Sequence, residues 1–176
     1  MFATVTVGTL VALLLAKLGG VWRTIVSSCI MIAWAMPAVT GTYVWTFIFD
    51  ADRGIFNSVL RDLGLMDQSI NWFTNQWSFY AIVLLNVVHH GFPFVAITVL
   101  AGLLGVSKEM LEAAALDGAG AWRRFWKIIF PTLKPVFSVV IILSTIWDFK
   151  VFAQVYLMPG GGGGNRQVLN LGVWSY

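Results

Sequence analysis

Apolar residues gather into four runs, at 1–16, 24–49, 77–104 and 135–157, and almost every charged residue falls between them. A helix that crosses a membrane needs roughly 20 mostly apolar residues. The second, third and fourth runs reach that length, and the first falls short of it. No basic residue precedes the first run, and Lys17 follows it. A secretory signal has the reverse order, with positive charge ahead of its apolar core, so the run reads as a membrane helix. Pro37 is expected to kink the second run; the third carries His89, His90 and Pro93, and the fourth Asp148 and Lys150. The pattern predicts an all-α membrane protein with about four transmembrane helices, in a single domain over 1–176.

Composition narrows the class further. Hydrophobic residues make up 59% of the chain and charged ones 11%, against about 25% charged in soluble proteins. With nine Trp and a mean hydropathy of +0.81, a chain of 176 residues has more apolar surface than a water-soluble core can hide. The single Cys29 cannot form an internal disulfide and supports no metal or redox site. No Lys/Arg cluster is interleaved with polar readers, which excludes nucleic acid as a partner.

The placement of charge sets an expected orientation. The short loop at 17–23 and the loop at 105–134 hold Lys17, Arg23, Lys108, Arg123, Arg124, Lys127 and Lys134. The loop at 50–76 holds Arg53 and Arg61 against Asp50, Asp52, Asp62 and Asp67. Lys and Arg are retained on the cytoplasmic side, so 105–134 is expected in the cytoplasm and 50–76 outside, with both chain ends external. Five consecutive glycines after Pro159 read as a flexible external connection.

The cytoplasmic loop contains the stretch "EMLEAAALDGAGAWRRFWKIIFP", from Glu109 to Pro131. Ser107 is expected to cap a helix with Glu109 in its first turn. Gly118 and Gly120 should break that helix. A second amphipathic pattern then sets Trp122, Phe125, Trp126 and Ile129 on one face and Arg123, Arg124 and Lys127 on the other, as suits a headgroup boundary. Two readings of the first helix stay open. It is a solvated connector, or it is a docking element in which Ala113, Ala114 and Ala115 admit a partner closely while Glu112 and Asp117 offer carboxylates.

Ionisable groups within the apolar runs are candidates for a solute pathway, because such groups are costly in lipid and face cavities or partners. Lys150 and Gln154 stand one turn apart, with Trp147 close in angle to Lys150, and Asp148 lies on another face. Aromatic and hydrogen-bonding groups together suit a sugar. The adjacent His89 and His90 would point about 100° apart on a helix, a poor geometry for one metal ion. His89 is retained as a pathway candidate, with packing as its simpler role.

Several passages together carry a family resemblance. Glu112-Ala113-Ala114, then Gly118 after three residues, Ile128 after nine more, and Pro131 resemble the EAA loop of inner-membrane permease subunits of binding-protein-dependent ABC importers. That pattern has Leu before the proline, where this chain has Phe130. "DGAGAWRRFWKIIFPTLKPV" is similar to carbohydrate-type permeases, and "GGVWRTIVSSCIMIAWAMPAV", "GIFNSVLRDLGL", "GFPFVAITVLAGLLGVSKEMLEAA" and "LSTIWDFKVFAQVYLMPGGG" resemble successive parts of the same fold.

The resemblance implies a six-helix permease fold of which this chain is a fragment, starting within the second span and stopping before the sixth. It implies a bacterial inner-membrane, multi-pass permease for a sugar or similar small polar solute. Its partners would be a dimer of ABC ATPase subunits that bind the ATP, a second permease subunit, an extracytoplasmic solute-binding protein and membrane lipid. The chain would have no cofactor and no catalysis of its own. Glu112, Ala113, Ala114 and Gly118 would be contact and turn positions for the ATPase, Asp117 an added acidic contact, and Ile128 and Pro131 the anchor into the membrane. The alternative classes are an ion-coupled secondary transporter and a non-transport structural membrane protein.

Overall fold

The computed structural model describes residues 1–159, 168 and 170–175, and these are all helix or connection. The glycine run at 160–164, read from sequence as a flexible connection, lies outside the described residues. In chain order the helices are α1 (Phe2–Lys17), α2 (Gly20–Trp34), α3 (Ala38–Ile48), α4 (Ile55–Asp62), α5 (Gln76–Leu104) and α6 (Lys108–Leu116). There follow α7 (Ala121–Arg124), a π-helical turn (Phe125–Ile129), α8 (Phe130–Thr132), α9 (Lys134–Phe149), α10 (Ala153–Tyr156) and α11 (Leu171–Trp174).

The four predicted runs fare differently. The third and fourth form apolar helical segments long enough to span a bilayer, Gln76–Leu104 and Lys134–Tyr156. The second does not run through Pro37 as one kinked helix: it breaks into α2 and α3, a third span only if the pair is taken as one. Proline disfavours helical backbone at the residue before it and cannot donate to the preceding turn, and here Pro37 serves as the N-cap of α3. The first run, α1, is apolar but has 16 residues. By length and composition two helices, or three if the bent pair is one span, are long and apolar enough to cross a membrane, beside the shorter apolar α1. Buried Pro93 sits inside α5 without ending it.

The chain forms two compact units, to both of which α5 contributes. The first comprises 1–34 and 91–146. Its core joins Ala12 and Leu15 of α1, Val95, Val99 and Leu100 of α5, Val106, Leu133, and Phe137 and Val140 of α9. The buried positions of α1 are Thr4, Gly8, Ala12 and Leu15, one stripe at helical spacing. Its small residues let two backbones meet. A Cβ on Gly8 would lie 2.5 Å from the Val95 Cβ and 2.9 Å from the Phe92 carbonyl oxygen. Likewise a Cβ on Gly91 would lie 2.7 Å from the Thr4 Cγ2. Within lipid, where burial gains little, such close small-residue contact is the main source of helix association.

The second unit comprises 35–90 and 147–176. Its core includes Phe49, Phe73, Phe79, Ile82, Val83, Val155 and Met158. The segment at 50–76, predicted as a loop, contains α4 and is packed rather than open. Phe49, Phe56 and Trp72 form a ring cluster with centroids 4.7–6.5 Å apart. Asn57, 1% exposed, ties the segment together. Its Nδ2 donates to the carbonyls of Ala51 (3.0 Å) and Ile70 (2.9 Å), and its Oδ1 accepts from the Trp72 indole at 2.8 Å. At the start of the segment, the Asp50 carboxylate accepts from the backbone N–H groups of Arg53 and Asp52. These bonds, with the nearby Arg53 charge, hold its carboxyl below the usual carboxylate range.

Replacing Asn57 by Leu would keep the volume but strand the Trp72 N–H and two carbonyls. With partial rescue by water, the expected loss is about 2 kcal/mol of stability. Thermal unfolding of the detergent-solubilised protein measures it, and faster proteolysis within 50–76 should accompany it. An unchanged midpoint would contradict this role.

Candidate coupling segment

The helix α6 is built from local signals. Ser107 is its N-cap: the hydroxyl accepts the Met110 N–H at 3.2 Å and donates to the Glu109 carboxylate. That second bond lowers the Glu109 pKa from its ordinary value. At the other end, Gly118 has φ +76°. The Ala119 N–H bonds the Ala114 carbonyl at 2.9 Å and the Gly118 N–H bonds the Ala115 carbonyl at 3.0 Å. This paired closure is the Schellman stop, which requires a left-handed residue just beyond the helix. Glycine supplies it without strain.

Glu112, Ala113, Asp117 and Gly118 are exposed, and Ala114 is half-buried. Leu116, an apolar side chain 89% exposed at the helix end, adds to this open surface. Ala114, Asp117 and Ala119 line a concavity of about 250 Å³ whose other walls are Arg123, Arg124, Lys127 and Ile128. Sequence periodicity assigned those three cations to the polar side of the second helix, opposite its ring-bearing face. In the structure they surround the C-terminal end of α6, so the surface there is net positive despite Asp117.

The second amphipathic helix is not regular. After α7, the Phe130 N–H reaches back five residues to the Phe125 carbonyl, widening the turn. The cause lies one residue on. Pro131 has no N–H, and its ring clashes with the carbonyl four residues earlier, that of Lys127, in a regular α-helix. The wide turn relieves this and rotates the ring-bearing face. Trp122, Trp126 and Phe130 then contact in sequence, at centroid distances of 5.7 and 5.0 Å, and Phe130 meets Phe137 of α9 at 5.4 Å. Ile128 packs against the first unit's core, whereas Pro131 is exposed. All seven coupling candidates thus belong to one unit.

The pathway candidates all belong to the other unit. The premise that Lys150 and Gln154 share a helix face does not hold. Helix α9 ends at Phe149, a tight turn follows in which the Lys150 N–H bonds the Trp147 carbonyl at 3.0 Å, and Gln154 lies on the separate α10. Gln154 is 8% exposed while Lys150 is exposed; Trp147 is 43% exposed and Asp148 half-buried. His89 is exposed, its ring 5.8 Å from Trp45. The structure places all five of these residues in one unit.

Sequence reasoning passed over Asn57 and Asn170. The Asn170 Nδ2 bonds the Val151 carbonyl while its Oδ1 caps α11 through the Val173 N–H, so it fixes the turn that follows α9. An asparagine just ahead of an apolar run was the available signal.

An all-helical membrane protein, with an exposed, capped helix set between two segments of membrane-spanning length, defines the class. The chain belongs to the family described as binding-protein-dependent transport system inner membrane component, which it matches over residues 5–176. It is similar to the diacetylchitobiose uptake system permease protein of Streptomyces coelicolor, 41% identical over 90% of this chain and 49% of the relative. It is also similar to the trehalose/maltose transport system permease protein of Thermococcus litoralis, 35% identical over 88% of this chain and 52% of the relative. In fold it resembles a bacterial ABC transporter crystallised with an alginate pentasaccharide-bound periplasmic protein: TM-score 0.73, 20% identity, covering 84% of this chain and 51% of that one. The chain spans about half the length of the curated relatives it matches.

Proposed function

We propose that the chain is the core of a membrane-spanning permease subunit of an ATP-driven importer for a sugar or similar small polar solute. The observation that carries this is α6: a capped helix exposed along Glu112 and Ala113, stopped by left-handed Gly118, in a chain of this permease family. The relatives named for diacetylchitobiose and trehalose/maltose transport support a carbohydrate cargo. ATP binding and hydrolysis belong to a separate ATPase dimer that receives α6, with Ile128 and Pro131 joining that element to the membrane-spanning part. A second permease subunit completes the pathway. An external solute-binding protein delivers the cargo, as in the alginate transporter crystallised with its periplasmic protein. The segment 105–134 faces the cytoplasm and 50–76 faces outward. Trp147, Asp148, Lys150, Gln154 and His89 contribute to the pathway from the unit that does not contain α6.

Single cysteines at 67 and 113, in a Cys29→Ser background, test the sidedness. Intact cells treated with a membrane-impermeant maleimide should label position 67 but not 113, and permeabilisation should expose 113. Uptake of labelled oligosaccharide should require ATP and ignore a proton ionophore. Labelling of 113 from outside, or ionophore-sensitive uptake without ATP, would sink the assignment; the second result would indicate an ion-coupled carrier.

A further inference from the structure

Besides the basic concavity beside α6, the first unit contains a groove of about 680 Å³. Leu10 and Leu13 of α1, Phe137 and Ile141 of α9, and the rings of Trp122 and Trp126 line it. Its lining is mostly apolar, with Thr6 and Thr9 on α1 and two cations, Lys17 at the C-terminal end of α1 and Arg124 of α7. Neither cation makes an ion pair or side-chain hydrogen bond among the described residues. From Val5, also in the lining, to Lys17 is 17 − 5 = 12 residues of helix, or about 18 Å at 1.5 Å per residue. One leaflet of hydrocarbon is roughly 15 Å deep. The groove therefore has a leaflet's length, a mostly apolar lining, two cations and two indoles, the amphipathic rings that settle at a membrane boundary.

We propose that this groove is a binding site for an anionic phospholipid. An acyl chain lies along Leu10, Leu13, Phe137 and Ile141, and the phosphate is held between Lys17 and Arg124. The leaflet is the one that faces α6. Basic pockets between membrane helices hold anionic headgroups in this manner. The charge selects the lipid: a zwitterionic headgroup brings its own cation to the same place and gains less. Because Arg124 lines both the groove and the concavity beside Ala114 and Asp117, a bound phosphate would sit one side chain from the candidate coupling surface.

The test uses the full chain, purified in mild detergent after incubation with vesicles of equal phosphatidylglycerol and phosphatidylcholine, with retained lipid counted by native mass spectrometry. Each cation near a surface favours an anionic lipid about fivefold, so the pair should give roughly 25-fold preference for phosphatidylglycerol. Lys17→Gln with Arg124→Gln should bring the ratio close to one while lipid is still bound. Arg124→Lys should keep most of the preference. Lys127→Gln, which alters the concavity but not the groove, should leave it unchanged. Leu13→Trp, which fills the groove, should reduce retention of both lipids. Equal retention of the two lipids by the unaltered protein, an undiminished preference in the double variant, or no retained lipid because a protein segment occupies the groove would each overturn the proposal.

Discussion

Replacing Gly118 with Asp, or Ala114 with Trp, is expected to abolish solute uptake while leaving the amount of protein in the membrane unchanged. The two substitutions act at the same surface by different means. At Gly118 a new Cβ meets nothing within 4 Å, so the fold itself has room for it. The backbone, at φ +76°, charges a side chain about 1 kcal/mol for the left-handed conformation, and Asp is among the residues that tolerate it best. A loss of uptake beyond that must arise where another surface approaches the turn. Ala114 is half-buried and lines the concavity with Asp117 and the three cations. An indole there fills the depression and projects from it. A bulky group at the centre of a docked interface costs at least about 2 kcal/mol, or about 30-fold in affinity. Uptake by proteoliposomes containing the ATPase, beside quantitative blotting of membranes, separates the two effects. Gly118→Asn provides the control, since it tolerates the same φ without adding charge. Normal transport by both the Asp and Trp variants would remove α6 from the coupling role; reduced membrane levels would place the defect in folding.

The helix at the centre of that experiment was legible in the sequence because its signals are local. Ser107 caps three residues ahead, and Gly118 stops the helix whose carbonyls it closes, so both could be read within one short window. Pro37 and Pro131 were harder. Proline announces a disturbance but not its form: at Pro37 the helix breaks, while at Pro131 the preceding turn widens to five residues and the chain stays helical. The proline itself does not decide between them, because the missing N–H and the ring clash are relieved equally by a break or by a wider turn. The shared face read for Lys150 and Gln154 does not form, for a related reason. A spacing of four means one face only if the helix continues, and α9 ends at Phe149. Asn57 was invisible because its partners come from 50, 51, 70 and 72, brought round by the fold of the whole segment. Thr4, Gly8 and Ala12, by contrast, were open to view as small residues four apart, yet lay hidden in a run treated only as apolar.

That stripe leads to the other large effect. Gly8→Val is expected to destroy the packing of the first unit, with a cost of about 3 kcal/mol or more. The Val95 Cβ would lie 2.5 Å from the new Cβ and the Phe92 carbonyl oxygen 2.9 Å away, against about 3.5–4.0 Å for carbon atoms at rest. A side chain can rotate, but a Cβ and a backbone oxygen cannot, so α1 and α5 must separate. Separation draws Ala12 and Leu15, one and two turns further along α1, away from the same core. The measurement is the unfolding midpoint of the solubilised protein together with its yield from membranes. Gly19→Val, where a Cβ meets nothing within 4 Å, should leave both values unchanged and so excludes a general effect of adding valine to this region. The double variant Gly8→Val with Val95→Ala gives the sharper result. It removes the Val95 branches but leaves the carbonyl oxygen and the Val95 Cβ in place, so rescue should be partial and the two substitutions clearly non-additive. Full stability of Gly8→Val alone would mean that α1 does not meet α5 backbone to backbone, and the small-residue stripe would then have no packing role.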